Sequence, residues 1–355
     1  MTVYDFVSFG GFLLIISFLL ALDLGVFHKD DHVVSFKESM TWTCIWVAVA
    51  MLFGGLIYFF GEYIHGVDSL ERLTDLNALH GHGLKIDPLQ GLDANLHLYR
   101  KALTLEYFSG YVIEEMLSVD NIFVMIMIFM SFGVEKKYYH RVLFWGIIGA
   151  IVLRFSFIFL CSALIQRFTW VLAVFGGLLI FSGLKMLVGK EEEEKIDTEN
   201  HPIVKFAARH FRLDKTYKGH DFFVRNEGKL FITTLFLVLL VIEFSDILFA
   251  VDSIPAIFSV TRDPYIVFFS NIFAIMGLRS LFFMLSNVMN MFCRLKTGLG
   301  VLLSFIGVKM LLNTFFEIEI GPGVSLLVIL GILALSIVAS LLFPIKSEKG
   351  KEEEA

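Results

Sequence analysis

Charge is scarce in this chain. Of its 355 residues only 18% are Asp, Glu, Lys or Arg, whereas a soluble protein carries about a quarter. The shortage excludes an ordinary set of soluble domains. Proline is scarce too, six residues against 39 Phe, which excludes a disordered or collagen-like chain. The three cysteines, Cys44, Cys161 and Cys293, lie in or beside apolar runs and form no disulfide or zinc pattern. Redox chemistry is therefore not expected. There is no excess of basic residues, the net charge being −6, so nucleic acid is not an expected partner.

What the chain has in abundance is long apolar runs, with 57% hydrophobic residues overall. Nine blocks stand out: Phe6–Phe27, Trp42–Phe60, Leu103–Phe132, Leu143–Leu164, Trp170–Val188, Leu230–Val260, Tyr265–Leu285, Gly298–Phe316 and Val324–Phe343. About twenty apolar residues cross the hydrocarbon core as a helix. The predicted fold is all-α, a polytopic membrane helical bundle of about nine transmembrane helices with the lipid bilayer as its solvent. The first block lacks the basic start and small-residue cleavage site of a secretory signal and is read as a retained span.

Lys and Arg in the connections set the orientation. With the N-terminus outside, the inner segments 28–40, 133–141, 189–229, 286–297 and the tail hold 19 basic residues, against four in the outer segments. The expected topology is N-terminus outside, C-terminus cytoplasmic, in the cell's cytoplasmic membrane. The connection 189–229 reads as a cytoplasmic loop with one helix lying on the membrane surface.

An internal repeat organises the spans. Leu117-Ser-Val-Asp-Asn121 matches Phe249-Ala-Val-Asp-Ser253, and a further acid, Glu114 or Asp246, stands six residues before each Asp. Arg154 matches Arg279, and Phe181-Ser-Gly-Leu-Lys-Met-Leu187 matches Phe305-Ile-Gly-Val-Lys-Met-Leu311, at shifts of 132, 125 and 124 residues. Each copy holds three spans. An odd number makes the second copy enter from the opposite side, an inverted repeat with a site near the midplane. The divisions are thus 1–100 with two spans and an external loop, 101–190 as the first repeat, 191–229 as the inner loop, 230–316 as the second repeat, and 317–355 as the last span and charged tail.

Glu114, Asp120, Glu243, Asp246 and Asp252 all fall inside apolar blocks. At about 2.5–3.5 kcal/mol each, five acids demand compensation by cations, water or protons. Residues six apart on a straight helix point about 120° apart. The acids can therefore share one site only if their helices are interrupted, and Ser118, Asn121, Ser245, Ser253 and Pro255 suit a break. Two broken helices meeting at the midplane are expected. Carboxylates, Asn121, Ser253 and free carbonyls are hard oxygen ligands suited to Mg²⁺, Ca²⁺ or Mn²⁺. The third and sixth blocks contain no His or Cys, which argues against a selective zinc or copper site. The competing reading pairs the acids statically with Arg154, Arg279, Lys185 and Lys309. An Arg resting on the acids would also limit leakage.

The stretches Glu114…Leu117-Ser-Val-Asp-Asn121, Val241-Ile-Glu243…Ser245-Asp246…Phe249-Ala-Val-Asp-Ser-Ile-Pro-Ala-Ile-Phe258 and Ser270-Asn-Ile-Phe-Ala-Ile-Met-Gly-Leu-Arg279 resemble the TerC family, named after tellurium resistance. Asp23-Leu-Gly-Val-Phe-His28 and Phe222-Phe-Val-Arg225 match as well. The resemblance implies a place in the LysE transporter superfamily and export of manganese in exchange for protons. Glu114, Asp120, Glu243, Asp246 and Asp252 would be metal and coupling residues, with Asn121 and Ser253 beside them. Mn²⁺ is then the substrate ion, and no prosthetic group is expected. A homo-oligomer remains open. The alternatives are a membrane scaffold or assembly factor without transport, and an exporter of a basic amino acid. An enzyme is not expected, because the repeat cores offer no nucleophile with a His base. His80-Gly-His82, with Asp87 and His97, reads as an ordinary polar loop rather than a receiver for an exiting ion. Asp23 reads as a helix-end residue reaching water, and Glu115 as a neighbour that supports Glu114.

Overall fold

The computed structural model describes residues 3–27, 34–168, 170–188, 202–211, 213–214, 221–226, 229–288, 295–316, 318 and 320–342, with side chains from residue 7. The Asp23 side chain, Cys293, the acidic run Glu191–Glu194 and the charged tail lie outside the described residues.

Among the described residues nine helices have 19 residues or more, one for each apolar block. They are α1 (Val3–Phe27), α2 (Phe36–Phe60), α5 (Gly91–Ser131), α6 (Tyr139–Arg167), α7 (Trp170–Val188), α9 (Thr234–Phe258), α10 (Pro264–Val288), α11 (Leu295–Phe316) and α12 (Pro322–Leu342). Between them lie the short helices α3 (Glu62–His65), α4 (Leu70–His80) and α8 (Pro202–His210). Seven of the long helices are long and apolar enough to cross a membrane. Of the other two, α1 is apolar over Val7–Leu22, and α5 carries the acids Glu106, Glu114, Glu115 and Asp120 in its apolar part. The outer faces expose Leu14, Phe18, Leu52, Phe181, Leu327 and Leu335. So large an apolar surface would drive aggregation in water and is at home in lipid. The protein is a multi-pass membrane protein.

The centre of the bundle is α10, buried over 94% of its apolar window and packed against α5, α2 and α6. An aromatic layer surrounds it: Phe12 lies 4.2 Å from Phe269 between ring centres, and Phe53 lies 4.6 Å from Phe273. This layer fastens α1 and α2 to the repeat core.

The two repeats touch most closely where α7 crosses α11. A Cβ on Gly176 would fall 3.1 Å from Gly307 O, and one on Gly183 would fall 2.6 Å from Gly300 O. The reverse approaches are as tight, Gly300 to Gly183 O at 2.9 Å and Gly307 to Gly176 O at 2.6 Å. Small residues let helix backbones approach this closely. The pairs 176/307 and 183/300 exchange under a shift of 124 residues, and they require the two helices to run antiparallel. The contact thus has the symmetry of an inverted repeat.

Three expectations need correction. First, neither acid-bearing helix is interrupted: α5 and α9 run unbroken through their acids. The Ser245 hydroxyl donates to Val241 O within the helix (2.9 Å). Pro255 sits in the last turn of α9, which continues past it to Phe258. Second, the third span begins well before Leu103. Residues 92–102 mix polar and apolar side chains and contain no Gly or Pro, so α5 reaches 41 residues, about 60 Å at 1.5 Å per residue, and projects beyond the bilayer.

Third, the connection 189–229, expected as a loop with one surface helix, holds more than a helix among its described residues. Besides the amphipathic α8, three short strands form a sheet in the order β1 (Leu213–Asp214), β3 (Lys229–Thr233), β2 (Phe223–Asn226). β2 and β3 pair antiparallel with Asn226 opposite Lys229, and β1 joins β3 in parallel. Aromatic and β-branched residues flanking Glu227-Gly228 favour this hairpin over helix. Thr233 ends β3 and caps α9, accepting from Phe236 N at 3.5 Å.

Candidate functional site

The intramembrane acids are divided between neighbours. Asp246 stands twelve residues from either end of α9, and Arg154 stands near the middle of α6. The Arg154 guanidinium forks onto Asp246, with Nη2 donating to Oδ1 at 3.0 Å and Nε to Oδ2 at 3.4 Å. Its Nη1 donates to Glu114 Oε1 and, at 3.1 Å, to Asn271 Oδ1. Asn271 Nδ2 then donates to Glu114 Oε2 at 3.0 Å. The four residues come from α5, α6, α9 and α10, two helices of each repeat, and all are buried. Planar bidentate pairing of this kind is what guanidinium groups do best. Two carboxylates from opposite repeats thus meet over a single cation.

Glu243 stays beside Asp246, whereas Asp120 and Asp252 stand about 120° round their helices from Glu114 and Asp246, as unbroken helices require. Glu243, one turn before Asp246, lays its carboxylate against Gly149 of α6: a Cβ there would fall 2.0 Å from Oε1. Glu243 and Asp246 line a void with Arg279 and Leu278, with room for about one water. Asp252 accepts from the Ser182 hydroxyl of α7 at 3.0 Å, and Lys185 is exposed one turn further along that helix. Asp120 is half-buried on α5. Glu115 accepts from the Tyr111 hydroxyl at 2.8 Å. Of the repeat's equivalent residues, Asn121 Nδ2 and Ser253 Oγ are both buried without a hydrogen-bond partner, as is Ser118 Oγ. Buried polar atoms are seldom left so. The charge-compensating candidates separate as well. Arg154 holds two acids, Arg279 borders the void, and Lys309 is buried near the end of the bundle beside Glu106 and His82.

Asn271 was not singled out from the sequence. Its signal was modest: with Ser270 it is a polar pair inside an apolar block.

The end of the bundle that carries α3, α4 and the α9–α10 turn holds a second buried polar group. His65 Nε2 lies 2.9 Å from Asp263 Oδ2, the His80 ring stacks on His65 with centres 5.3 Å apart, and His82 Nδ1 lies 2.9 Å from Glu106 Oε1. Thr261 donates to Glu106 Oε2 at 2.7 Å. Burial would raise the Asp263 carboxyl, but the neighbouring imidazoles of His65 and His80 hold it well below the usual carboxylate range. Only part of the expected polar loop is a loop. His80 and His82 are buried, whereas Asp87 accepts from Leu89 N at 3.0 Å and His97 meets the Tyr58 hydroxyl at 3.3 Å.

Comparison with known proteins gives a consistent result. The TerC family of integral membrane proteins matches residues 99–349. An uncharacterized membrane protein of Myxococcus xanthus is 42% identical over 332 residues, covering 94% of this chain and 91% of the other. A protein of Escherichia coli strain K12, named as a candidate membrane-bound redox modulator, Alx, is 39% identical over 330 residues, 93% of this chain and 92% of its own. An uncharacterized membrane protein of Rickettsia bellii is 38% identical over 331 residues, 93% and 96% of the two chains. No solved structure matches.

Proposed function

The chain belongs to the TerC family of integral membrane proteins, and from that membership and the buried acids we propose that it exports a hard divalent cation, Mn²⁺ foremost. Export crosses the cytoplasmic membrane in exchange for protons, with the N-terminus outside, a topology that the distribution of basic residues supports. The observation that carries this proposal is the meeting of Glu114 and Asp246, one acid from each inverted repeat, on Arg154 in the middle of the bundle.

In this mechanism Arg154 is the resident counter-ion. A divalent cation arriving from the inner side takes over the two carboxylates and displaces the guanidinium, and Arg154 returns when the ion leaves. The site therefore never stands as two bare acids in low dielectric, which would be prohibitively unfavourable. Asn271 offers an amide oxygen to the same ion. Glu243, which lines a void with Asp246, takes up the exchanged proton. Asp120, Asn121, Asp252 and Ser253 line the route on either side, where their oxygens replace part of the hydration shell of a hard cation. The tight α7–α11 crossing is the seam about which the repeats rock. The redox modulation in the Alx name follows here from altered metal content. Among the described residues Cys44 and Cys161 are free thiols, one exposed and one buried.

Cells expressing Asp246→Asn or Glu114→Gln should accumulate Mn²⁺ under manganese loading, while cells with the unmodified protein keep it low. A metal content equal to wild type in both variants removes the proposal. Lysine efflux measured in the same cells distinguishes export of a basic amino acid. Wild-type behaviour of the acid variants, together with a defect on altering the inner connection, would favour a scaffold.

A further inference from the structure

The His group at the end of the bundle calls for its own explanation, because Glu114, Asp246 and Arg154 make no use of it. His65 ends α3, His80 ends α4, and Asp263 precedes α10. Their ligand atoms all lie within 4.8 Å of one another, and all three residues are buried. The elements that hold them are well fixed. Asp263 Oδ1 accepts from Tyr265 N (2.9 Å), leaving Oδ2 for His65. Arg72 Nη2 donates to His65 O at 3.3 Å. Gly81, in the left-handed region at φ +65°, ends α4 directly after His80.

Static hydrogen bonding accounts for His65 and Asp263 but only in part for His80, whose ring bonds the Arg262 backbone while its Nδ1 is buried without a partner. Nor is the group sealed. A half-open cavity of about 310 Å³ is lined by His65, His80, Arg72, Ser162 and Gln166, so an ion from the adjoining water can reach it.

We propose that His65, His80 and Asp263 form a second metal site, selective for a divalent first-row transition ion such as Zn²⁺ or Mn²⁺ over Mg²⁺ and Ca²⁺. Two imidazole nitrogens and one carboxylate oxygen are a borderline-soft set that suits such ions, whereas Mg²⁺ and Ca²⁺ require oxygen. Three protein ligands leave coordination positions toward the cavity for water, as in open zinc sites. Around an ion at about 2.0–2.1 Å from each ligand, donors sit about 3.3 Å apart, inside the 4.8 Å spread of these three ligand atoms. The hydrogen bond from Tyr265 N to Asp263 Oδ1 provides the outer support that orients a ligating carboxylate.

The site is independent of the intramembrane acids. Full-length protein in detergent, stripped with chelator, would be titrated with Zn²⁺, Co²⁺, Mn²⁺ and Mg²⁺ and compared with Asp246→Asn, His80→Gln and Asp263→Asn. The expected result is one equivalent of Zn²⁺ retained in Asp246→Asn and weakened at least tenfold in His80→Gln, with Co²⁺ giving a visible band that His80→Gln abolishes. Asp263→Asn should weaken Zn²⁺ as well. His80→Gln keeps the His65–Asp263 hydrogen bond, so its metal-free melting temperature should match wild type. Unchanged Zn²⁺ affinity and Co²⁺ spectrum in His80→Gln and Asp263→Asn would overturn the proposal whatever the export assay gives.

Discussion

Replacing Arg154 with Met would remove the one cation shared by Glu114 and Asp246 while keeping much of the side-chain volume. Four hydrogen bonds from the guanidinium disappear, and both carboxylates are left more than nine-tenths buried. Breaking a buried ion pair from one side costs about 3–5 kcal/mol. Glu114 keeps one bond from Asn271, so the larger share falls on Asp246. Equilibrium unfolding of the purified protein in mixed detergent should therefore show Arg154→Met destabilised by about 3–5 kcal/mol. The decisive comparison is the triple variant R154M/E114Q/D246N, which removes the orphaned charges and should recover most of that loss. If the triple variant is as unstable as the single one, or if Arg154→Met costs no more than substituting the exposed Arg167, the charge-sharing account is refuted.

Further expectations concern packing. Gly183→Val or Gly307→Val drives a side chain into the facing backbone and should cost about 1–3 kcal/mol or more, measured as a lowered melting temperature. Gly55→Ala, with nothing within 4 Å, should instead gain about 0.5–1 kcal/mol. Gly149→Ala displaces only the flexible end of Glu243, so stability should change by less than about 1 kcal/mol while manganese export falls. Normal export in that variant would free Glu243 of any role. Gly81→Ala places a Cβ at φ +65° and should cost about 1 kcal/mol, read as earlier protease cleavage between α4 and α5.

Much of the fold was legible because a bilayer imposes a length and a polarity that survive in the sequence. The nine apolar blocks each became a helix, and the repeat was visible in Leu117–Asn121 and Phe249–Ser253. The glycines of the α7–α11 seam obey the same shift of 124 residues as the neighbouring Lys185 and Lys309, and were readable in principle. The candidate site was legible only in part. The acids were found and Arg154 was among the cations offered as their partners, but convergence was assigned to helix breaks, because spacing does not reveal which two acids Arg154, 40 residues from Glu114 and 92 from Asp246, holds. His65 and Asp263 are 198 residues apart, and no local pattern connects them. Such pairs are set by the tertiary packing of α3 against the α9–α10 turn.

The length of α5 has a mechanical consequence. It carries Glu106 among the terminal histidines and Glu114 at the arginine, about 12 Å apart along one axis. The helix has no proline between these points and runs unbroken from one to the other, with Ser109-Gly110 as the place where it can bend. Whatever pulls on the projecting end, whether an ion, a lipid headgroup or a neighbouring protein, tilts the deep carboxylate like the short arm of a lever. A spectroscopic probe attached near Leu92 would then register events about 33 Å away along the helix.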